Sequence, residues 1–260
     1  MDITYNTYLK IPELLSLQQP VGDPREHDEM LFIVIHQVYE LWFRQQLHEG
    51  DHLCQLLASG NFGSADATLA RMLKILKTMV AQIDVLETMT PVSFLNFRAF
   101  LQSASGFQSW QFRAFEMLLG VKDTRALTRY PEGSPHRNEL ERRLKAESIW
   151  LCFARGLVAH GHAVPRSTLD RDATLTTASD PAMQDLLLSL YRSGGAIHHF
   201  CESLVDLDEG VQEWRYRHVK MVERTIGAKQ GTGGSPGVAY LKSTLFQPLF
   251  PDLWELRSSL

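Results

Sequence analysis

The chain has 260 residues, 44% hydrophobic and 22% charged, enough to bury a sizeable core as one domain or two poorly separated ones. Its formal net charge of −4 excludes a broad nucleic-acid surface, which needs clustered Lys and Arg. No apolar run approaches the roughly 20 residues that span a bilayer, so no membrane partner is expected.

The opening MDITYNTYLKIPELL lacks the basic-then-apolar layout of a secretory signal. Asp23-Pro24 opens a helix that runs through HDEMLFIVIHQVYELWFRQQLHE to Gly50, with Pro inside its start and Gly past its end. Its centre is apolar all round, so it is expected to be buried. Leu69, Leu73, Leu76, Val80, Ile83 and Leu86 follow at the three-to-four spacing of a long amphipathic helix. Thr90-Pro91 caps the next helix, which carries Phe94, Phe97, Arg98 and Leu101. Ser103–Gly106 breaks the pattern, which resumes over Phe107–Leu119 and stops at Gly120. Lys122 to Arg137, polar with two prolines and a glycine, reads as a surface connection. Asn138–Leu157 is the next expected helix, ended by the AHGHAVP turn. Asp180-Pro181 caps Ala182–Leu190, and after Gly194-Gly195 the helical pattern continues to Ile226. Strand-like alternation is almost absent, so the expected class is all-α, a bundle of long helices. Cys54, Cys152 and Cys201 are odd in number without CxxC spacing, which suits a reduced cytoplasmic compartment.

Two histidines stand on apolar helix faces. His36 lies in FIVIHQVYELWF, one turn after Phe32 and one turn before Glu40. It reads either as a core histidine bonded to a neighbour or as a site residue. His218 shares a face with Val211, Trp214, Val222 and Thr225 and is flanked by Arg215 and Arg217. Neighbouring cations disfavour the protonated imidazole, the neutral form is the one that binds a metal, and arginines there could pair with the carboxylates of a haem. A solvated basic face is the alternative. Isolated histidines on separate helices suit haem better than zinc, which needs three or four ligands. His160-Gly161-His162 at a helix end and His198-His199, pointing to different faces, read as structural. Arg98, among Phe94, Phe97 and Phe100, must be paired; an internal carboxylate or a substrate carboxylate would serve. Beyond Gly227, Lys229–Gly234 forms a glycine-rich loop with Thr232, but no Gly-Lys-Ser/Thr closes it as a phosphate loop.

The segments YNTYLKIPELLSLQQP, HDEMLFIVIHQVYELW, MTPVSFLNFRAF, SASGFQS, LVDLDEGVQEWRYRHVKMVERTIG, KQGTGGSPGVAYL and PDLWELR, in this order, resemble the tryptophan 2,3-dioxygenase family. Its members are all-helical, haem-dependent enzymes that open the indole ring of L-tryptophan. The resemblance implies one domain over residues 1–260, with residues 1–20 reaching a neighbouring subunit, a variable helical insertion at about 122–183, and a homotetramer. It implies haem b held by His218, O2 and L-tryptophan as substrates, and N-formylkynurenine as product. His36 would face the indole N–H, and Phe32 would wall the indole. Arg98 would hold the substrate carboxylate, and Thr232 with Gly231 the amino-acid end. Ser105 and Gly106 would flank the haem, and Tyr5 and Tyr8 would enter a neighbour's site. Two departures stand out. Phe94 replaces the tyrosine that helps hold the carboxylate, and Val38-Tyr39 replaces small polar residues. They leave open a relative that inserts one oxygen atom into tryptophan or a substituted tryptophan to give a 2-oxindole. A haem or tryptophan sensor without turnover is a remoter alternative.

Overall fold

The computed structural model describes residues 2–229, 231 and 237–260. Helices account for the architecture: α1 (Tyr5–Leu9), α2 (Ile11–Leu15), α3 (His27–Ala58), α4 (Phe62–Leu86), α5 (Pro91–Arg98), α6 (Trp110–Leu118), α7 (Pro135–Lys145), α8 (Ile149–Ala159), α9 (Arg166–Leu169), α10 (Pro181–Ser193), α11 (Ala196–Ile226), α12 (Val238–Ser243) and α13 (Pro251–Glu255). Among the described residues there is no strand, as the periodicity predicts.

Helix α4 packs on both α3 and α11. Along α3 and α4 the Tyr39 hydroxyl donates to Met79 O (2.7 Å) and the Gln46 amide to Met72 O (2.9 Å), while Arg71 pairs with Glu49. Rising numbers meet falling ones, so α3 and α4 are antiparallel. Ser203 meets Asp66 and Arg217 meets Asp84, so α4 and α11 are parallel. The N-terminal third of α3 and the C-terminal thirds of α4 and α11 therefore share one end of the bundle. His36 and His218 both lie at that end.

Two apolar clusters result. The larger fills the middle of the bundle around Leu53, Leu69, Met72, Phe153 and Leu204. The smaller closes the end that carries the histidines: Ile35, Leu86, Met89, Phe94 and Phe97, with Phe32, Leu101, Met221 and Ile226 against them. The fully buried Asp208 on α11 accepts hydrogen bonds from the N–H groups of Leu249 (2.7 Å) and Phe250 (3.1 Å) and from the Trp254 indole (2.9 Å). A buried carboxylate is tolerable when fully bonded in this way, and this one ties the C-terminal segment to α11.

Several expectations need correction. Helix α3 starts at His27, because residues 21 and 22 loop over its first turn and donate their N–H groups to Glu29 (2.7 and 3.0 Å). It also runs two turns past Gly50. A Cβ there would stand 2.3 Å from Leu118 Cδ2, so this glycine permits the approach of α6 rather than ending the helix. Helix α3 is not buried all round, since Met30, Val34 and Leu41 are exposed. The expected helix at 138–157 is two, α7 and α8, divided where the Ser148 hydroxyl accepts from Leu151 N and starts a new helix. The 122–137 stretch is no plain surface connection either. It holds a 3-10 helix, Thr124–Arg129, and the buried Lys122, whose ammonium donates to Arg143 O (2.7 Å) and Ala146 O (2.8 Å). The cysteines are free. His160 Nε2 donates to Gly60 O in the α3–α4 turn (2.7 Å), a structural role. The rings of His198 and His199 do not diverge but stack, 5.4 Å apart.

Candidate active site

His36 is placed by α3 and fixed by a local bond. Its Nδ1 lies 2.7 Å from Phe32 O. A carbonyl only accepts, so Nδ1 carries the proton. Burial pulls the pKa below its ordinary 6.5, against weaker opposing effects of the Phe32 carbonyl and Glu40. The ring is thus neutral near pH 7, and Nε2 keeps its lone pair as an acceptor. Phe32 lies against it, ring centroids 4.1 Å apart. Phe32 in turn meets Phe94 (5.8 Å) and Phe97 (5.5 Å) of α5. Helix α5 is set by the Thr90 hydroxyl, which accepts from Ser93 N, and by Pro91 in its first turn. Arg98 stands half-buried in its last turn, next to this aromatic wall. Of its three expected aromatic neighbours only Phe94 and Phe97 are buried; Phe100 is exposed.

His218, on α11, stacks on Trp214 with centroids 5.4 Å apart and planes 1° from parallel. Its pKa is pushed down to about 4, first by burial, then by His36 and by Arg113. His36 is among the causes of the His218 shift, so the two imidazoles stand within electrostatic reach of one another. Neither ring nitrogen of His218 is hydrogen-bonded to a described residue, which leaves both free for other partners. Both histidines are half-buried.

The flanking arginines do not act as the sequence suggests. Arg215 is buried and donates to Glu116 (3.3 Å) and Thr244 O (3.3 Å). Arg217 pairs with Asp84 and with Glu87 (3.5 Å). The cation that bears on His218 is Arg113 of α6, which sequence reasoning passed over. Its signal was the one used for Arg98, an arginine between Phe112 and Phe115. Tyr39 is also reassigned: its hydroxyl is committed to Met79 O, and its ring stands behind Trp214, 6.4 Å away.

Ser105 starts the short 3-10 helix Gly106–Gln108, its hydroxyl accepting from Phe107 N (3.4 Å), and Gly106 is exposed. Tyr5 and Tyr8 lie on α1, 73% and 75% exposed. Gly231 is half-buried, and Thr232 lies outside the described residues. The structure therefore brings together Phe32, His36, Phe94 and His218, with Arg98 at the edge. It does not bring Tyr5 or Tyr8 to this site within one chain. Among the described residues no group of three or more His, Cys, Asp and Glu could cage a metal ion. Porphyrin iron asks the protein for only one axial nitrogen, which a neutral, otherwise unbonded imidazole supplies. His218 fits that demand. His36, with its outward acceptor nitrogen and aromatic neighbours, fits a flat ring bearing an N–H.

The family model described as Tryptophan 2,3-dioxygenase matches residues 1–148 and 167–260. The unmatched stretch, 149–166, contains α8. A protein of Herpetosiphon aurantiacus named Tryptophan 2,3-dioxygenase is 54% identical over 258 residues, covering 99% of this chain and 98% of the relative. One of the same name from Anaeromyxobacter sp. is 53% identical, covering 99% and 96%. Another, from Caulobacter vibrioides, is 43% identical, covering 100% and 99%.

Proposed function

The chain belongs to the tryptophan 2,3-dioxygenase family, and we propose that it opens the indole ring of L-tryptophan with O2 to give N-formylkynurenine. The observation that carries this is the pairing of two neutral imidazoles at one end of the bundle, one locked as an acceptor beside aromatic rings and one with nitrogens unbonded among the described residues. His218 would hold a haem b through its iron, with Trp214 fixing the ring plane. The haem supplies the iron chemistry that makes O2 reactive toward the indole.

The protein's own residues bind and orient. Phe32, backed by Phe94 and Phe97, gives the indole a flat apolar wall. His36 Nε2 accepts the indole N–H, which sets the rotation of the ring in its plane. Because burial makes His36 a weaker base than free imidazole, it polarises that N–H without removing the proton. Arg98 grips the substrate carboxylate in two-point geometry, and Gly231 with Thr232, the latter outside the described residues, would take the amino-acid end. Ser105 and Gly106 would flank the haem. Fixing both ends of the substrate is the main service of such a site.

A homotetramer in which Tyr5 and Tyr8 enter a neighbour's site belongs to the same proposal. Its support is the uncovered apolar surface: Ile3, Tyr5, Tyr8, Leu15 and Leu17 at the N-terminus and Met30, Val34 and Leu41 on α3. An apolar surface of this extent is usual at interfaces rather than on monomers. The single-domain organisation, with 1–20 as an intersubunit arm and about 122–183 as a variable insertion, is proposed on the same footing. No helix among the described residues is long and apolar enough to cross a membrane, which suits the proposed cytoplasmic site of action. The test is purified protein loaded with haem, reduced, and given O2 and L-tryptophan. The expected product is heavier than substrate by two oxygen atoms and absorbs as a formylkynurenine. No tryptophan-dependent O2 uptake would refute the proposal.

A further inference from the structure

Of the three cysteines in this chain, two share one place. Helices α3 and α8 run side by side in the same direction: Gly156 meets Leu57, and His160 meets Gly60 just past the end of α3. A Cβ on Gly156 would stand 2.8 Å from Leu57 O, so this glycine lets the two backbones close to contact. One turn back along both helices, the same register sets Cys152 opposite Cys54. The spacing a disulfide needs, Cα atoms within about 7 Å, is reached only between backbones packed this closely. Contact with the Cys152 thiol, ahead of burial, also pushes the Cys54 pKa up, the effect of two thiols that share a hydrogen bond.

Both thiols line a cavity of about 290 Å³. The charged side chains around it are committed to protein partners. Arg143 is paired with Asp51 and, through Nε, with Glu139 (2.9 Å). Arg142 also holds Glu139 (2.7 Å), and Arg155 donates to Glu147 (2.6 Å). What this leaves open to a small guest is sulfur. Behind the wall stands the buried Lys122, its ammonium donating to the carbonyls of two lining residues, Arg143 (2.7 Å) and Ala146 (2.8 Å). Burial, then Arg143, brings its pKa down to about 8, and the two cysteines oppose that. A positive charge therefore lies where a thiolate gains from it. Cys201 is the contrast: it is fully buried on α11 and packs in the core as a small apolar residue.

We propose that Cys54 and Cys152 form a two-thiol site that a peroxide oxidises to a disulfide, tying α3 to α8. One sulfur attacks a peroxide oxygen; the O–O bond breaks, and the displaced oxygen leaves as water with that thiol's proton. The other sulfur attacks the S–OH group so formed. The S–S bond forms, the S–O bond breaks, and a second water carries away the second thiol's proton. The two thiols together lose two electrons and one peroxide gains them. Hydrogen peroxide, little larger than water, fits the cavity. Cys54 lies about five turns, or about 27 Å, along α3 from His36, so the site does not depend on the haem proposal.

Full-length protein is treated with hydrogen peroxide, the excess is removed with catalase, and free thiols are alkylated in denaturant before digestion and mass mapping. Free thiols are expected to fall from three to one. A linked Cys54–Cys152 peptide should appear, lighter than its parts by the hydrogens of both thiols, and dithiothreitol should reverse it. The Tm of the linked form should rise by roughly 5 °C or more, the usual result of closing a long loop. In Cys201→Ser the linked peptide forms as before; in Cys54→Ser and in Cys152→Ser it does not. The map of the native sequence decides alone if a variant fails to fold. Three free thiols after treatment, oxygen added at either sulfur without a link, or a link through Cys201 overturns the site. A linked form whose Tm is unchanged or lower overturns the tie between the helices.

Discussion

The two imidazoles sit in regions built on opposite rules. Around His36, where α3 meets α5, the packing is aromatic and aliphatic, and the imidazole itself is held by the local bond to Phe32 O. Around His218, where α11 meets α6, a buried cluster of Arg113, Glu116 and Arg215 lies within reach of a ring whose nitrogens are unbonded among the described residues. The first region is dry and presents a fixed acceptor, which suits an apolar ring with a single N–H. The second is charged and presents a free ligand nitrogen, which suits a planar cofactor with a metal at its centre and carboxylates at its edge.

Arg98 offers the hardest test of that division. Arg98→Leu is expected to lower kcat/KM for L-tryptophan by about a hundredfold, as for loss of a partner to a desolvated charge, while haemin affinity holds. Steady-state kinetics beside a haemin titration checks it, and parallel losses would move Arg98 to the cofactor's side. Phe94→Tyr works in the opposite direction. The added hydroxyl, one turn before Arg98, should lower KM for L-tryptophan by about tenfold through one more bond to the carboxylate; an unchanged KM removes that role from position 94.

A smaller effect sharpens the part of His36. His36→Gln is expected to lower kcat/KM by roughly twofold to tenfold, the range of a bond between uncharged groups. The pH profile separates this from a packing defect. Burial holds the native pKa below 6.5, so the ring stays neutral and kcat/KM stays level as pH falls through that value. Only in more acid solution does Nε2 take a proton and turn from acceptor to donor, and activity then drops. Glutamine does not titrate, so the variant should lack this acid limb; a limb of the same midpoint in the variant would exclude His36 as its source.

The long helices were legible because their caps and periodicity agree: Thr90-Pro91, Asp180-Pro181 and Gly194-Gly195 all mark observed boundaries. Gly50 misled because a glycine that ends a helix and one that admits a neighbouring helix look alike until the partner, Leu118, is seen. Ser148 misled for a related reason, since a serine within a helical run shows its capping role only through the bond it makes. At the site, residues on a shared helix face were legible: Phe32 with His36, and Trp214 with His218. Pairing across helices was not. Arg215 and Arg217 seemed to belong to His218 by adjacency, yet their partners lie on α6 and α4, and the cation that reaches His218 comes from α6.

The asymmetry of the two imidazoles is tested most directly by titrating His218→Ala and His36→Ala apoproteins with haemin and following the Soret spectrum. His218→Ala should lose the spectrum of histidine-ligated haem and regain it when imidazole is added, while His36→Ala should keep it unaided. Loss in His36→Ala with retention in His218→Ala would contradict the assignment of ligand and acceptor.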